Sequence, residues 1–195
     1  MKIEEYQALA MRTSPDDHDR MMNGCMGLIG EAGEVVDVVK KWMFQSGDYA
    51  QLPKDKLIEE CGDVLWYCAE LATGLEENLS VIFTERGSIF DDLREFNRDS
   101  SLSVTVMRLS AIASRPAMFL YDSIDKEVSP GRAAFLYASA KAEIVGTMSM
   151  IRDILEYYCG VSLTDAMERN IEKLLKRYPD GFDPERSLHR DEETG

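Results

Sequence analysis

The chain has 195 residues, 45% of them hydrophobic, enough to core one domain and too few for several independent ones. Its 36 acidic residues against 22 basic give a net charge of −14, which repels phosphate backbones and anionic membranes and so argues against nucleic-acid or membrane binding as the main function. Cys25, Cys61, Cys68 and Cys159 lack CxxC spacing and sit in apolar stretches, as reduced core thiols of a cytoplasmic protein do, and no run reads as a signal peptide or membrane span.

Helical periodicity runs through nearly the whole chain, with no sustained alternation of β-branched residues, so the fold class is all-α. A first helix covers about 2–13 and stops before the turn Thr13-Ser14-Pro15-Asp16-Asp17. A second runs from about 21 to 44 and a third from about Pro53 to Thr73. The polar connection from Gln45 to Leu52 is short enough to make these two antiparallel neighbours. Beyond Gly74 come a loop near 85–100, helical stretches near 101–125 and 131–159, and a last helix from Leu163 to Arg177. Pro116 should break or kink the first of those stretches. One domain over 1–190 with a tail at 191–195 is expected.

A faint internal echo pairs Met26-Gly27-Leu28 with Met107-Arg108-Leu109, and Glu70 to Gly74 with Glu156 to Gly160. Segment 81–160 therefore reads either as an insertion or as a degenerate repeat. In the second reading Glu31, Glu34, Glu60 and Asp63 correspond to Ile112, Arg115, Gly146 and Ser149, so the second copy has lost its acids.

Those four acids carry the chemistry. Glu31/Glu34 in GLIGEAGEVV and Glu60/Asp63 in IEECGDVLWY are each spaced i, i+3, which sets both carboxylates on one side of a helix. Roughly six or seven such pairs arise by chance at this acidic content, and a solvated face with ordinary lysine partners is the plain alternative. Context favours a cation cage: both pairs lie at the margins of apolar stripes on neighbouring helices, with the small residues Ala32, Gly33 and Gly62 beside them to admit a close neighbour. Oxygen-only donors suit Mg²⁺, with Mn²⁺ as substitute.

On the last helix, Asn170, Lys173 and Arg177, followed by Tyr178, can line one face as a phosphate clamp, or the cations can merely complement the helix C-terminus. Tyr67 projects between Glu60 and Asp63. Asn23 can reach a ligand or cap its helix, and Trp42 and Trp66 are candidates for a base pocket or for the core. A di-iron bundle needs Glu-x-x-His, and neither His18 nor His189 is so placed. HExxH, P-loop, EF-hand and GxSxG motifs are absent.

The stretches GLIGEAGEVVDVVKK, KLIEECGDVLWYCAELATGL, NIEKLLKRYPDGF and ERS resemble the MazG-like all-α nucleoside triphosphate pyrophosphohydrolases, over about 1–80 and 161–190. The resemblance implies a helical bundle of the MazG/dimeric dUTPase type. It also implies Mg²⁺-dependent cleavage of a nucleoside triphosphate between the α and β phosphates, giving monophosphate and pyrophosphate. Short members resemble subunits of homo-oligomers, so a dimer is expected, or a pseudo-dimeric monomer if 81–160 stands in for a partner. On this reading Glu31, Glu34, Glu60 and Asp63 hold metal, with Glu34 the first choice of base and Glu31 the second. Lys173 and Arg177 hold phosphates, while Tyr67, Asn170, Asn23 and Tyr178 contact the nucleotide. The rivals are a non-enzymatic helical interaction protein and the same fold acting on diphosphates.

Overall fold

A computed structural model describes residues 1–15, 18–47, 50–86, 100–125 and 128–184. Most of the loop expected at 85–100, the Asp16-Asp17 part of the first turn, the ERS stretch, His189 and the tail at 191–195 lie outside the described residues. The helices are α1 (Ile3–Met11), α2 (Arg20–Gln45), α3 (Lys54–Gly74), α4 (Leu79–Arg86), α5 (Leu102–Ala113), α6 (Arg115–Asp125), α7 (Pro130–Ile154) and α8 (Leu163–Arg177). Among the described residues there is no strand.

Local chemistry sets the ends. Asp19 caps α2 by accepting from the Met22 amide at 3.0 Å, so Asn23, a candidate cap by sequence, is free for other work. Ser129 caps α7 ahead of Pro130, and Ser162 with Asp165 forms a reciprocal capping box on α8. Pro116 is the second residue of α6, where an amide hydrogen has no intrahelical partner to lose. The break expected there falls at Ser114, between α5 and α6. A single π turn, Leu155–Cys159, extends α7 and ends at Gly160, whose φ of 78° suits glycine.

Helices α2 and α3 pack along their length as an antiparallel pair, α5 and α6 lie against α2 and against α7, and α8 closes over α3 with α1 beside it. The stripe of α2 is buried at Cys25, Leu28, Ala32, Val35 and Val39, and that of α3 at Leu57, Cys61, Val64, Leu65 and Cys68. All four cysteines are buried and free, and burial raises each thiol above its ordinary pKa. Glycine brings α2 and α3 together, because a Cβ on Gly24 would lie 2.8 Å from that of Leu71. Gly33, expected to admit a neighbour, faces open space instead, while Gly62 does meet one, at 3.0 Å from the Asn170 Cβ.

The offsets of the internal echo can be laid on these helices, with α2 falling on two helices and α7 starting at Pro130, ahead of the span of α3. The offset that lays Glu31 on Ile112 carries α2 onto 101–126, and α5 with α6 spans Leu102–Asp125. The offset that lays Glu60 on Gly146 carries α3 onto 140–160, where α7 and its π turn end at Cys159.

Candidate active site

Carboxylate oxygens of Glu31, Glu60 and Asp63 all lie within 4.8 Å of one another, Glu31 from α2 and the other two from α3. Glu60 is buried, while Glu31 and Asp63 are partly so. Glu34 stands apart from this trio, exposed one turn further along α2. Ordinary lysine partners are present as well. Lys56 reaches Glu60 at 2.7 Å from one turn away, and Lys173 on α8 donates to both oxygens of Asp63 at 2.6 Å. Lys173, expected on phosphate, thus contacts an acid of the trio.

Behind Asp63, a chain of buried groups fixes its orientation. The Asn170 amide nitrogen donates to Asp63 at 2.9 Å, and its oxygen accepts from the Tyr6 hydroxyl at 2.9 Å. Tyr6, fully buried on α1, was not foreseen as part of the site. Burial raises its phenol pKa, so it stays a donor.

Burial, then the charges of Asp63 and Glu60, push the Glu31 carboxyl up from 4.5 to about 7, with Lys173 opposing them. Three converging carboxylates, one of them this reluctant to ionise, form an oxygen donor set that fits a hard divalent cation. Glu31, Glu60 and Asp63 are the residues that could hold it.

Glu31 and Asp63 also border a cavity of about 270 Å³. Its other walls come from Thr13, Pro15, His18 and Asn23 before and at the start of α2, from Trp66 and Tyr67 on α3, and from Leu174, Arg177, Tyr178 and Phe182 at the end of α8 and beyond it. Tyr67 lies over Gly27, where a Cβ would fall 2.0 Å from the ring. Trp66 packs edge-on against Tyr67 with centroids 4.8 Å apart, and its indole nitrogen donates to the Ala10 carbonyl and the Thr13 hydroxyl. Trp42, the other tryptophan candidate, is not in the cavity wall and donates to the Ala50 carbonyl at 2.9 Å.

So the structure brings Glu31, Asp63, Asn23, Tyr67, Arg177 and Tyr178 to one cavity, with Glu60, Asn170 and Lys173 behind its acidic end. Sequence reasoning missed Tyr6, Phe182, His18 and Glu70. Glu70 falls seven residues after Asp63, on the same face of α3, and that spacing was its available signal.

Acids of two adjacent helices, grouped at the mouth of an aromatic-walled cavity in an all-α bundle, define a class of protein that could grip an anionic ligand through a divalent ion. Residues 21–86, which carry all four acids, match the model of the MazG nucleotide pyrophosphohydrolase domain. The Gene 37 protein of Mycobacterium phage L5 is 47% identical over 90 residues, covering 42% of this chain and 79% of that protein. The chain belongs to the MazG nucleotide pyrophosphohydrolase family. Membership supports hydrolysis of nucleotides in general, and such domains are generally metal-dependent. No solved structure matches the chain. Among the described residues, no helix is long and apolar enough to cross a membrane.

Proposed function

We propose that the protein hydrolyses a nucleoside triphosphate between its α and β phosphates, releasing monophosphate and pyrophosphate, with Mg²⁺ held by Glu31, Glu60 and Asp63. The observation that carries this reading is the convergence of those three carboxylates beside the cavity. When bound, Mg²⁺ (or Mn²⁺) supplies neutralisation of the charge that builds on the departing pyrophosphate.

The remaining roles belong to the chain itself. Glu34, exposed and outside the trio, is free to take a proton from the attacking water. Glu31 is the alternative base. Lys173 and Arg177 bind phosphate oxygens, the lysine sharing its ammonium with Asp63. Asn170, held by Tyr6, keeps Asp63 in register, and the Tyr67 ring forms the cavity wall on which the nucleotide is oriented.

A panel of ribo- and deoxyribonucleoside triphosphates with Mg²⁺, read by chromatography of the products, tests this. Monophosphate with intact pyrophosphate is expected. Orthophosphate alone points to another cleavage, and no turnover by wild type together with no ternary binding in calorimetry points to an interaction protein. Glu60→Gln should abolish turnover while leaving the helical circular dichroism spectrum intact.

We also propose that 81–160 is a degenerate second half, a reading supported by α5 with α6 filling the span onto which α2 maps. Ile112, Arg115, Gly146 and Ser149 stand where the first half has acids, so that half serves as scaffold against α2. A monomeric mass in sedimentation equilibrium is the expected result, and a dimer would favour the insertion reading.

A further inference from the structure

At the end of the cavity away from the acids lies a second polar cluster that the reaction above leaves unused. Its centre is Glu70, a carboxylate with no solvent exposure. It accepts from His18 Nε2 at 2.5 Å, from Arg20 at 3.0 Å, from the Ser14 hydroxyl at 3.2 Å and from the Asn23 amide at 3.4 Å. Arg20 already supplies a cation to the carboxylate, and toward this acceptor-only group the neutral ring places its hydrogen on Nε2. Nδ1 is then left with a lone pair. That atom is buried, has no hydrogen-bond partner among the described residues, and belongs to a side chain lining the cavity. The Tyr178 hydroxyl, on a residue only 4% exposed that lines the same cavity, is likewise without a partner among the described residues. Two such atoms facing one cavity offer hydrogen-bonding capacity that a ligand there can take up.

The cavity is thus polarised. Asn23 and Glu31 are eight residues apart on α2, about 12 Å at 1.5 Å per residue. Phosphates belong at the acidic end, and what remains for the other end, among Trp66, Tyr67, Tyr178 and Phe182, is the flat ring of the base.

Resting on the nucleotide reading of this cavity, we propose that His18 determines base specificity, with Nδ1 accepting a hydrogen bond from an N–H group on the base edge and Glu70 acting as the positioning residue that fixes its tautomer.

The test compares each nucleoside triphosphate with an analogue lacking an edge donor: cytidine and adenosine forms with the exocyclic amine replaced by hydrogen, guanosine forms without the 2-amino group or methylated at N1, and a thymidine form methylated at N3. Wild type should prefer the best natural nucleotide over its analogue in kcat/KM by on the order of ten- to a hundredfold, because the analogue leaves a buried group unpaired. His18→Phe should bring that ratio close to one, chiefly by raising KM for the natural nucleotide. His18→Gln, which keeps an acceptor, should restore part of it. His18→Phe should melt at a lower temperature, having lost a hydrogen bond to Glu70, and a retained helical circular dichroism spectrum with unchanged Mn²⁺ binding in both variants excludes a folding or metal effect. If His18→Phe still releases pyrophosphate with the wild-type ratio, the assignment of His18 is overturned and the pyrophosphohydrolase reading stands. If wild type neither turns over nor binds any triphosphate, that reading falls and takes the assignment with it.

Discussion

Replacing Glu31 by glutamine should stabilise the folded protein at pH 8 in the absence of divalent metal, the opposite of what most substitutions at a part-buried position do. Burial and the neighbouring Asp63 and Glu60 charges raise its carboxyl from 4.5 to about 7. The folded state therefore binds this proton more tightly than the unfolded chain does. Between pH 4.5 and 7 the native carboxyl is protonated while the unfolded one is not, so stability falls as pH rises through that window. At about 1.4 kcal/mol per tenfold, the full difference is ~3 kcal/mol. The side chain borders an open cavity, and solvent screening reduces this to about 1.5 kcal/mol. For a chain of this length that is a melting-temperature difference of about 3–6 °C. Thermal denaturation by circular dichroism, with chelator and at intervals from pH 4 to 8, isolates the effect as Glu31→Gln minus wild type: near zero at the acid end, growing to its full value above pH 7. Adding Mg²⁺ should raise wild type and leave the variant nearly unmoved, since only the former keeps the donor. An equal advantage at pH 4 and pH 8, or none at pH 8, would refute the crowding of charge on which the metal assignment rests.

Glu70→Ala should cost about 3–5 kcal/mol in urea denaturation, because Arg20 is left part-buried without its counter-charge. A cost below 1 kcal/mol would mean the cluster is more solvated than its burial implies. Gly27→Ala gains about 1 kcal/mol of helix propensity but drives a methyl group into the Tyr67 ring. Displacing the ring should cost about 1–3 kcal/mol and raise KM, and near-ultraviolet circular dichroism of the Trp66–Tyr67 pair reads the displacement. Lys173→Ala should raise KM for triphosphate more than for diphosphate, and equal effects would argue against a contact with the terminal phosphate.

The bundle was legible wherever periodicity and caps agree. Helix α8, with serine and aspartate at its start and two basic residues in its last turn, ends where sequence places it. The acids were only partly legible. Spacing of i, i+3 puts Glu31 and Glu34 on one side of α2, but how that side meets α3 is decided by rotation about the helix axis. Packing buries Ala32 and Val35, and the next turn swings Glu34 outward to solvent. Glycine misled for a related reason. Gly33 and Gly62 look alike in sequence, each beside an acid, yet only Gly62 meets another helix, and the closest approach falls at Gly27, where no charge drew attention.

His18 and Glu70 were beyond a reading based on periodicity because their meeting is irregular on one side. Glu70 stands on a regular face of α3, whereas His18 comes from the segment before α2, whose course no hydrophobic repeat dictates. A fully buried carboxylate in an apolar helix is still a physical demand that something must answer, since ionised and unpaired it would cost several kcal/mol. Arg20, Ser14, Asn23 and His18 answer it together. A carboxylate that sequence gives no reason to single out thereby holds Ser14, His18 and Asn23 together beside the cavity.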